Sequence, residues 1–251
     1  MEGILQLKKP LIIAHRGASD YAHENTLEAF QLAWEQGADG IEGDFILTSD
    51  KEVICFHDLD GERLLNKRVS TKSLSLKEIR ALSQALKKPF HIPTLAEVLA
   101  IVPQNKKILI EVKHGSKIVS HLRQIINESG LGDDQVSIIS FRREVIRESK
   151  KLMPCIQASW IRSFRRSRST DLLKPSMASV CEVLQEINSD GLSTNQRYVD
   201  KSFVQMINEA GYEHHCWTVN EVERAQEIAR TACASITTND PMSLVKALKV
   251  D

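Results

Sequence analysis

The chain lacks the features that mark secreted, disulfide-stabilised or membrane-spanning proteins. Its five cysteines are scattered through 251 residues, are odd in number and form no Cys-x-x-Cys pair, which argues against a disulfide framework or a structural zinc site. No run of about 18 apolar residues is present, so we expect no transmembrane segment. The first residues carry an acid at position 2 and only a short apolar run, unlike a signal peptide. We therefore expect a cytoplasmic protein.

An excess of charge of either sign is also missing. Lys plus Arg and Asp plus Glu both number 33, so the formal net charge is zero. Without a global basic field we expect no nucleic-acid partner. No G-x-G-x-x-G follows the first apolar run, which argues against a dinucleotide-binding fold. No feature of the sequence specifies an oligomeric state.

What is present is an alternation of short apolar runs with amphipathic helical segments. Strands are predicted at 11–14, from residue 40, and at 107–112, 136–141, 156–161, 190–192, 214–219 and 234–238. Short apolar strands alternating with helices are typical of a parallel sheet covered by helices. Eight such units in a chain of this length predict an α/β protein with a single (β/α)8 TIM-type barrel, which we expect to form one domain over residues 1–251.

Two interruptions of the alternation follow the second strand. Residues Val53–Phe56 are predicted to return along that strand as the second arm of a hairpin, after the turn signal Ser49-Asp50-Lys51. Residues 59–103 are predicted to form a mainly helical excursion within the same domain. Ser75 and Thr94 are the expected N-caps of two of its helices.

The second strand carries the most unusual pattern of the chain. Glu42 and Asp44 are two residues apart, so on an extended strand both carboxylates point to the same face. The hairpin arm ends in His57-Asp58 and would fold this histidine back toward the acids. Two carboxylates on one face of a buried strand repel each other unless a cation lies between them. On this stretch alone, a functional site and a half-exposed edge strand with solvated acids are equally supported.

The ends of the other strands favour the functional site. The carboxyl ends of barrel strands meet at one mouth, where catalytic groups of such enzymes lie. The polar residues at these ends are His15, Arg16, Glu42, Asp44, Glu111, Lys113, Trp217, Asn220 and Asp240. Three converging carboxylates suit a hard divalent cation, Mg²⁺ or Ca²⁺. Neighbouring Arg and Lys side chains suit a phosphate, and two histidines beside it suit acid/base catalysis. The residues therefore predict metal-assisted chemistry on a phosphate ester.

The same motifs resemble the glycerophosphodiester phosphodiesterase family. The resemblance rests on His15-Arg16-Gly17, Glu24-Asn25-Thr26, Glu42-x-Asp44, His57-Asp58, Ile92-Pro93-Thr94-Leu95-x-Glu97, Glu111-x-Lys113, Trp217-Thr218-Val219-Asn220 and the late TTNDP, and it covers essentially the whole chain. It implies a barrel enzyme that cleaves glycerophosphodiesters, such as glycerophosphocholine or glycerophosphoethanolamine, to glycerol 3-phosphate and an alcohol.

The resemblance also implies roles for individual residues. His15 and His57 match the paired acid/base histidines, and Glu42, Asp44 and Glu111 match the metal ligands. Arg16 and Lys113 match phosphate-contacting positions, and Trp217 matches an aromatic wall of the substrate pocket. For His57, transfer of a proton and ligation of the metal both remain open.

The sequence departs from the family pattern at two positions. His23 stands where the family usually has Pro before Glu-Asn-Thr, which we expect to loosen that loop rather than to add a catalytic histidine. Gly43 replaces a larger residue between the two acids and points away from them. We therefore expect thinner packing between barrel and helices at this point.

Two other functions fit the same fold. One is a phospholipase D-like enzyme acting on lysophospholipids, which would need an apolar lip beside the mouth. The other is a non-catalytic barrel that binds phosphate metabolites, which the complete set of histidines and acids disfavours. The basic run Ile161–Ser169 is predicted to be a solvated or mobile loop rather than a site for an anionic surface. His214 and His215 lie at the start of a strand and are predicted to be structural.

Overall fold

The computed structural model describes residues 9–170 and 172–249 and contains a closed parallel barrel. Its strands are β1 (Leu11–His15), β2 (Gly40–Leu47), β3 (Val53–Cys55), β4 (Lys107–Val112), β5 (Val136–Ser140), β6 (Gln157–Arg162), β7 (Arg165–Arg166), β8 (Leu173–Lys174), β9 (Gly191–Asn195), β10 (Glu213–Trp217) and β11 (Ser235–Thr238). The barrel order is β1-β11-β10-β9-β6-β5-β4-β2, and β1 closes it by pairing in parallel with β2. The predicted eight-stranded barrel is confirmed.

Helices follow the strands around the outside of the barrel. They are α1 (Leu27–Glu35), α2 (Glu62–Leu65), α3 (Leu76–Gln84), α4 (Leu95–Leu99), α5 (Val119–Ser129), α6 (Arg143–Leu152), α7 (Met177–Glu186), α8 (Lys201–Glu209), α9 (Val222–Ala229) and α10 (Pro241–Lys249). Thr26 caps α1 by accepting a hydrogen bond from the Ala29 amide. Ser75 and Thr94 form the predicted capping boxes of α3 and α4. Within the described part of the chain, none of these helices has the length and apolarity needed to cross a bilayer.

A small apolar layer fills the barrel interior below the mouth. It consists of Ile13, Leu109, Ile139 and Ile161, one from each of four strands. Side chains alternate along a strand, so the residue two positions later on β1 is His15 and the one on β4 is Glu111. The period of two therefore places polar groups directly above an apolar layer.

The hairpin and the excursion have an apolar core of their own. Antiparallel β3 pairs with β2, as predicted, and apolar side chains of the hairpin cluster with those of α2 and α3. The buried members of this core are Ile46, Ile54, Phe56, Leu65, Ile79 and Ile92. This packing holds helix α2 beside the mouth of the barrel, close to the end of the hairpin arm.

Two expectations from the sequence differ from the structure. Most of the basic run is exposed, but Ile161 lies in the barrel interior, and Arg165–Arg166 pair antiparallel with Leu173–Lys174 as a two-stranded ribbon. The thin packing expected at Gly43 is wrong. A Cβ atom there would lie 3.1 Å from Phe30 Cζ and 3.1 Å from Cys55 Sγ. The aromatic ring of Phe30 on helix α1 fills the space beside Gly43, so the helix and strand β2 are closely packed there.

A side chain at position 43 is therefore expected to destabilise the fold. We predict that Gly43→Val lowers the free energy of unfolding by about 1–3 kcal/mol, the usual cost of overpacking a close-packed core. The measurement is urea denaturation followed by circular dichroism. Gly115→Ala is the matched control, since the nearest atom to its added Cβ would be Glu144 Oε1 at 4.0 Å. Equal stability of the Gly43→Val and control variants would contradict this account.

Candidate active site

Three carboxylates meet at the mouth of the barrel on two neighbouring strands. Glu42 and Asp44 lie on β2 and Glu111 on β4, and the strand register places Asp44 opposite Glu111. The residues are 2%, 1% and 9% exposed, respectively. One carboxylate oxygen from each lies within 4.8 Å of the others. The predicted acidic cluster is therefore present, and it is buried rather than a solvated edge.

Burial shifts the pKa values of these acids in different directions. Burial and the neighbouring charge of Asp44 raise the pKa of Glu42 to about 8 and that of Glu111 to about 7. Burial also disfavours ionised Asp44, but the cations Lys113 and Arg16 outweigh it and lower the pKa of this carboxyl. Ionisation of all three acids at neutral pH is therefore disfavoured without additional positive charge.

The cluster fits a hard divalent cation. All candidate donors are carboxylate oxygens, the ligand type that Mg²⁺ and Ca²⁺ prefer. Glu42 Oε1 and Asp44 Oδ1 are buried and accept no hydrogen bond from the residues that the structure describes. Buried oxygens without a hydrogen bond are costly, and a metal ion would satisfy them. These two atoms and Glu111 are the candidate ligands.

Asn25 holds Asp44 in place. Its backbone adopts a left-handed conformation with φ of 58° at the entry to helix α1. The side-chain amide donates to Asp44 Oδ2 at 2.9 Å, and its oxygen accepts from the Asp44 amide at 3.1 Å. The sequence assigned no role in the site to Asn25, and its place in the Glu24-Asn25-Thr26 motif was the one available signal of this function.

Arg16 and Lys113 supply positive charge around the acids. Lys113 Nζ lies 2.6 Å from Glu111 Oε1 and 3.3 Å from Asp44 Oδ1. Arg16 Nε lies 3.0 Å from Asp44 Oδ2, and its Nη1 donates to Glu24 Oε1 at 3.0 Å. Both cations are mostly buried, so their charge is poorly screened by solvent. They are placed to bind an anionic group that enters beside the carboxylates.

The two histidines are anchored through the same ring nitrogen. His15 Nδ1 lies 2.7 Å from Asn239 Oδ1, and His57 Nδ1 lies 2.6 Å from Asp58 Oδ1. If each Nδ1 carries the proton of its hydrogen bond, Nε2 of each imidazole is left to exchange protons. Burial lowers the pKa of both residues. For both residues the nearby charge of Arg16 adds to this effect, and nearby acids oppose it.

A cavity of about 330 Å³ brings these groups together. Seven of the eight predicted site residues line it, namely His15, Arg16, Glu42, His57, Glu111, Lys113 and Trp217. Asp44 is the exception and lies behind the lining. The Trp217 ring packs edge-on against Phe141 with 5.8 Å between ring centroids, forming an aromatic wall. A larger cavity of about 550 Å³ lies at the opposite end of the barrel, around His215 and Ser235, away from the acids.

Other polar residues predicted at the mouth have supporting positions. Asn220 Oδ1 accepts from the Asn239 amide at 3.0 Å and so helps place the residue that anchors His15. Asn239 itself was missed, since only the TTNDP motif points to it. His23 is exposed and stacks on Phe90 with 3.8 Å between ring centroids, outside the cavity lining. His214 is buried against Thr194.

Comparison with known proteins identifies related phosphodiesterases. A model of the glycerophosphoryl diester phosphodiesterase family matches residues 15–243. A glycerophosphodiester phosphodiesterase from Caldanaerobacter subterraneus subsp. tengcongensis is 29% identical, covering 96% of this chain and 98% of the relative. Human glycerophosphodiester phosphodiesterase 1 is 34% identical over 59% of this chain and 48% of its own length.

The solved structures give the same fold. An Oleispira antarctica phosphodiesterase in complex with the product sn-glycerol-3-phosphate matches with a TM-score of 0.83 and 24% identity, covering 96% of this chain and 98% of that one. A putative phosphodiesterase of this type from Galdieria sulphuraria matches with a TM-score of 0.81 over 98% and 100% of the two chains, at 22% identity. The barrel is thus shared with these structures.

The two hydrogen bonds from Asn25 generate a prediction about cation binding. Asn25→Ala should weaken binding of Mg²⁺ or Ca²⁺ by about 10–100-fold, the usual effect of removing a residue that orients a metal ligand. Isothermal titration with each ion gives the affinity. Asn66→Ala is the matched control, because Asn66 also has a left-handed backbone, with φ of 51°, but forms no hydrogen bond with the acids. Equal affinities of the two variants would contradict the role assigned to Asn25.

Proposed function

The chain belongs to the glycerophosphoryl diester phosphodiesterase family, and on this premise we propose that it hydrolyses glycerophosphodiesters to glycerol 3-phosphate and an alcohol with a divalent metal and two histidines. The observation that carries the proposal is the single cavity lined by two anchored histidines, two cations and two of three clustered acids. This combination suits a phosphodiester, which needs charge neutralisation and two proton transfers.

Substrate binding is assigned to the cations and the aromatic wall. Arg16 and Lys113 are proposed to contact the phosphate, for which their charge and position are suited. Trp217 and Phe141 bound the remainder of the cavity and would limit the orientations of the substrate. Glu42, Asp44 and Glu111 would hold Mg²⁺ or Ca²⁺, which when bound supplies positive charge to the phosphate oxygens.

Proton transfer is assigned to His15 and His57. One imidazole accepts a proton from the attacking hydroxyl, which belongs to a water or to the glycerol 2-carbon and forms a bond to phosphorus. The other donates a proton to the oxygen of the leaving alcohol as its bond to phosphorus breaks. Attack by water gives glycerol 3-phosphate directly, whereas attack by the glycerol hydroxyl gives a cyclic phosphate that a water then opens to the same product. Their lowered pKa values favour a neutral imidazole near pH 7, the form needed to accept a proton. Hydrogen bonds at Nδ1 from both rings support the use of Nε2 for these steps.

One observation favours a second candidate activity. Phe141 lines the cavity and is 47% exposed, so it forms an apolar edge beside the mouth. Such an edge suits a lysophospholipid substrate, cleaved at the same phosphate by the same residues. A panel of glycerophosphodiesters and lysophospholipids, assayed for release of glycerol 3-phosphate or of the free head group, separates the two. A cytoplasmic location is proposed for either activity, on the scattered cysteines.

The metal assignment predicts the effect of a chelator. We expect release of glycerol 3-phosphate from glycerophosphocholine to stop in EDTA and to return when Mg²⁺ or Ca²⁺ is added in excess, because the acids would otherwise repel the substrate phosphate. A coupled assay with glycerol-3-phosphate dehydrogenase measures the product. Activity that is unchanged by EDTA would remove the metal from the proposed mechanism.

The histidine assignment predicts large losses of turnover. His15→Ala and His57→Ala should each lower kcat by about 10²–10⁴-fold, the usual contribution of an acid or base, without changing the thermal unfolding midpoint much. His23→Ala is the control, since this exposed histidine stacks on Phe90 outside the cavity lining. Turnover near that of the wild type in either active-site variant would show that the corresponding histidine is not the acid or base.

A further inference from the structure

Arg63 is hydrogen-bonded to two carboxylates that hold other side chains of the candidate site. Asp58 holds His57, and Glu24 holds Arg16. It lies on α2 in the excursion, outside the barrel strands, and its side chain is 48% exposed. Arg63 Nε donates to Asp58 Oδ2 at 2.7 Å. Its Nη1 and Nη2 donate to the two oxygens of Glu24 at 2.9 and 2.8 Å. One guanidinium thus binds two carboxylates that come from different loops.

Asp58 is the side chain through which Arg63 reaches His57. Oδ1 of Asp58 is hydrogen-bonded to His57 Nδ1 and Oδ2 to Arg63 Nε, so both oxygens are engaged. With its second oxygen held, the carboxylate cannot rotate away without losing a charge-assisted hydrogen bond. Arg63 therefore restrains the orientation of the His57 ring indirectly, because both side chains are hydrogen-bonded to Asp58.

Glu24 is the side chain through which Arg63 reaches Arg16. Glu24 Oε1 accepts from Arg16 Nη1 at 3.0 Å and from Arg63 Nη2 at 2.8 Å. Burial disfavours the ionised form of Glu24, but the two arginines outweigh it and lower the pKa of this carboxyl to about 2. Glu24 is therefore ionised at neutral pH, the form that binds both arginines.

The geometry points to a role in positioning rather than in stability. Partly exposed ion pairs contribute little to folding free energy, with a typical value of about 0–1 kcal/mol. The planar guanidinium, however, has donors in fixed directions and matches carboxylates in pairs, whereas a lysine ammonium does not. An arginine that holds two carboxylates at once is suited to fixing their relative placement.

We propose that Arg63 is a positioning residue that sets the orientations of His57 and Arg16 together, through Asp58 and Glu24. The inference rests on the proposed function for its catalytic consequence, since it takes His57 as a proton-transfer group and Arg16 as a phosphate contact. Through Arg63, the excursion would orient side chains of the site, a contribution that the barrel strands alone do not make. Arg63 itself does not line the cavity.

The kinetic test separates the two connections. Arg63→Ala should lower kcat/KM by about 100-fold, with a loss in kcat from misplaced His57 and a rise in KM from misplaced Arg16. Arg63→Lys should recover only a small part, because one ammonium cannot hold both carboxylates. Guanidinium ion added to the alanine variant should restore part of the activity. Arg68→Ala, which removes an exposed positive charge from the same excursion, is the matched control and should behave as wild type.

Double-mutant cycles show whether Arg63 acts through its two partners. If it acts through Asp58, Arg63→Ala should cost much less kcat in an Asp58→Asn background than in the wild type. If it acts through Glu24, the same should hold for KM in a Glu24→Gln background. Losses that multiply independently in both cycles would overturn the proposal, as would wild-type kinetics of Arg63→Ala.

A measurement without turnover distinguishes this inference from the proposed function. In ¹⁵N-labelled protein, the His57 imidazole resonances should shift in Arg63→Ala and remain in place in Arg68→Ala, while those of His15 change little in both. Unchanged His57 resonances would overturn the positioning role even in an active enzyme. Failure of the wild type to release glycerol 3-phosphate with Mg²⁺ or Ca²⁺ would instead refute the proposed function, and the resonance test would still decide the placement of His57.

Discussion

The mutual repulsion of three buried carboxylates is the constraint on which the rest of the mouth depends. Glu42, Asp44 and Glu111 offer oxygens within 4.8 Å of one another in a place where water can screen little of their charge. Several neighbouring groups reduce this electrostatic repulsion. Lys113 and Arg16 bring positive charge, and the Arg16 amide donates to Glu42 Oε2 at 3.0 Å. Glu42 Oε1 and Asp44 Oδ1, which accept no hydrogen bond from the described residues, mark where a cation fits.

The barrel provides the rigid part of this arrangement. Parallel pairing sets His15 beside Glu42 and Asp44 beside Glu111, so the relative heights of these groups follow from strand register. The apolar layer that includes Ile13 and Leu109 lies below them and keeps the mouth shallow. A side chain displaced by one residue along a strand would point to the opposite face, toward the helices.

The hairpin and the excursion provide the part that the barrel lacks. The Phe56 amide donates to the Asp44 carbonyl at 2.8 Å, which fixes the residue before His57 against strand β2. Beyond His57 the chain enters α2, where Arg63 reaches back to Glu24 in the loop before α1. The insertion between strands β2 and β4 is thus packed on its own apolar core and hydrogen-bonded to the loop before α1.

The sequence by itself determined the barrel and most of the residues at its mouth. Short apolar runs between helical segments identify the strands. The polar residues that end these strands must meet at one edge of a parallel barrel, so His15, Glu42 and Glu111 could be assigned together. Only the tertiary structure decided which residues form hydrogen bonds with the side chains of the site. Asn239 is 224 residues from His15 and Arg63 is 39 residues from Glu24, and no local pattern specifies such contacts. The filled space at Gly43 was likewise set by the ring of Phe30 on another element. The spacing of apolar residues shows which face of a helix or strand a side chain lies on. The residues that the side chain contacts depend on how separate helices and strands pack together.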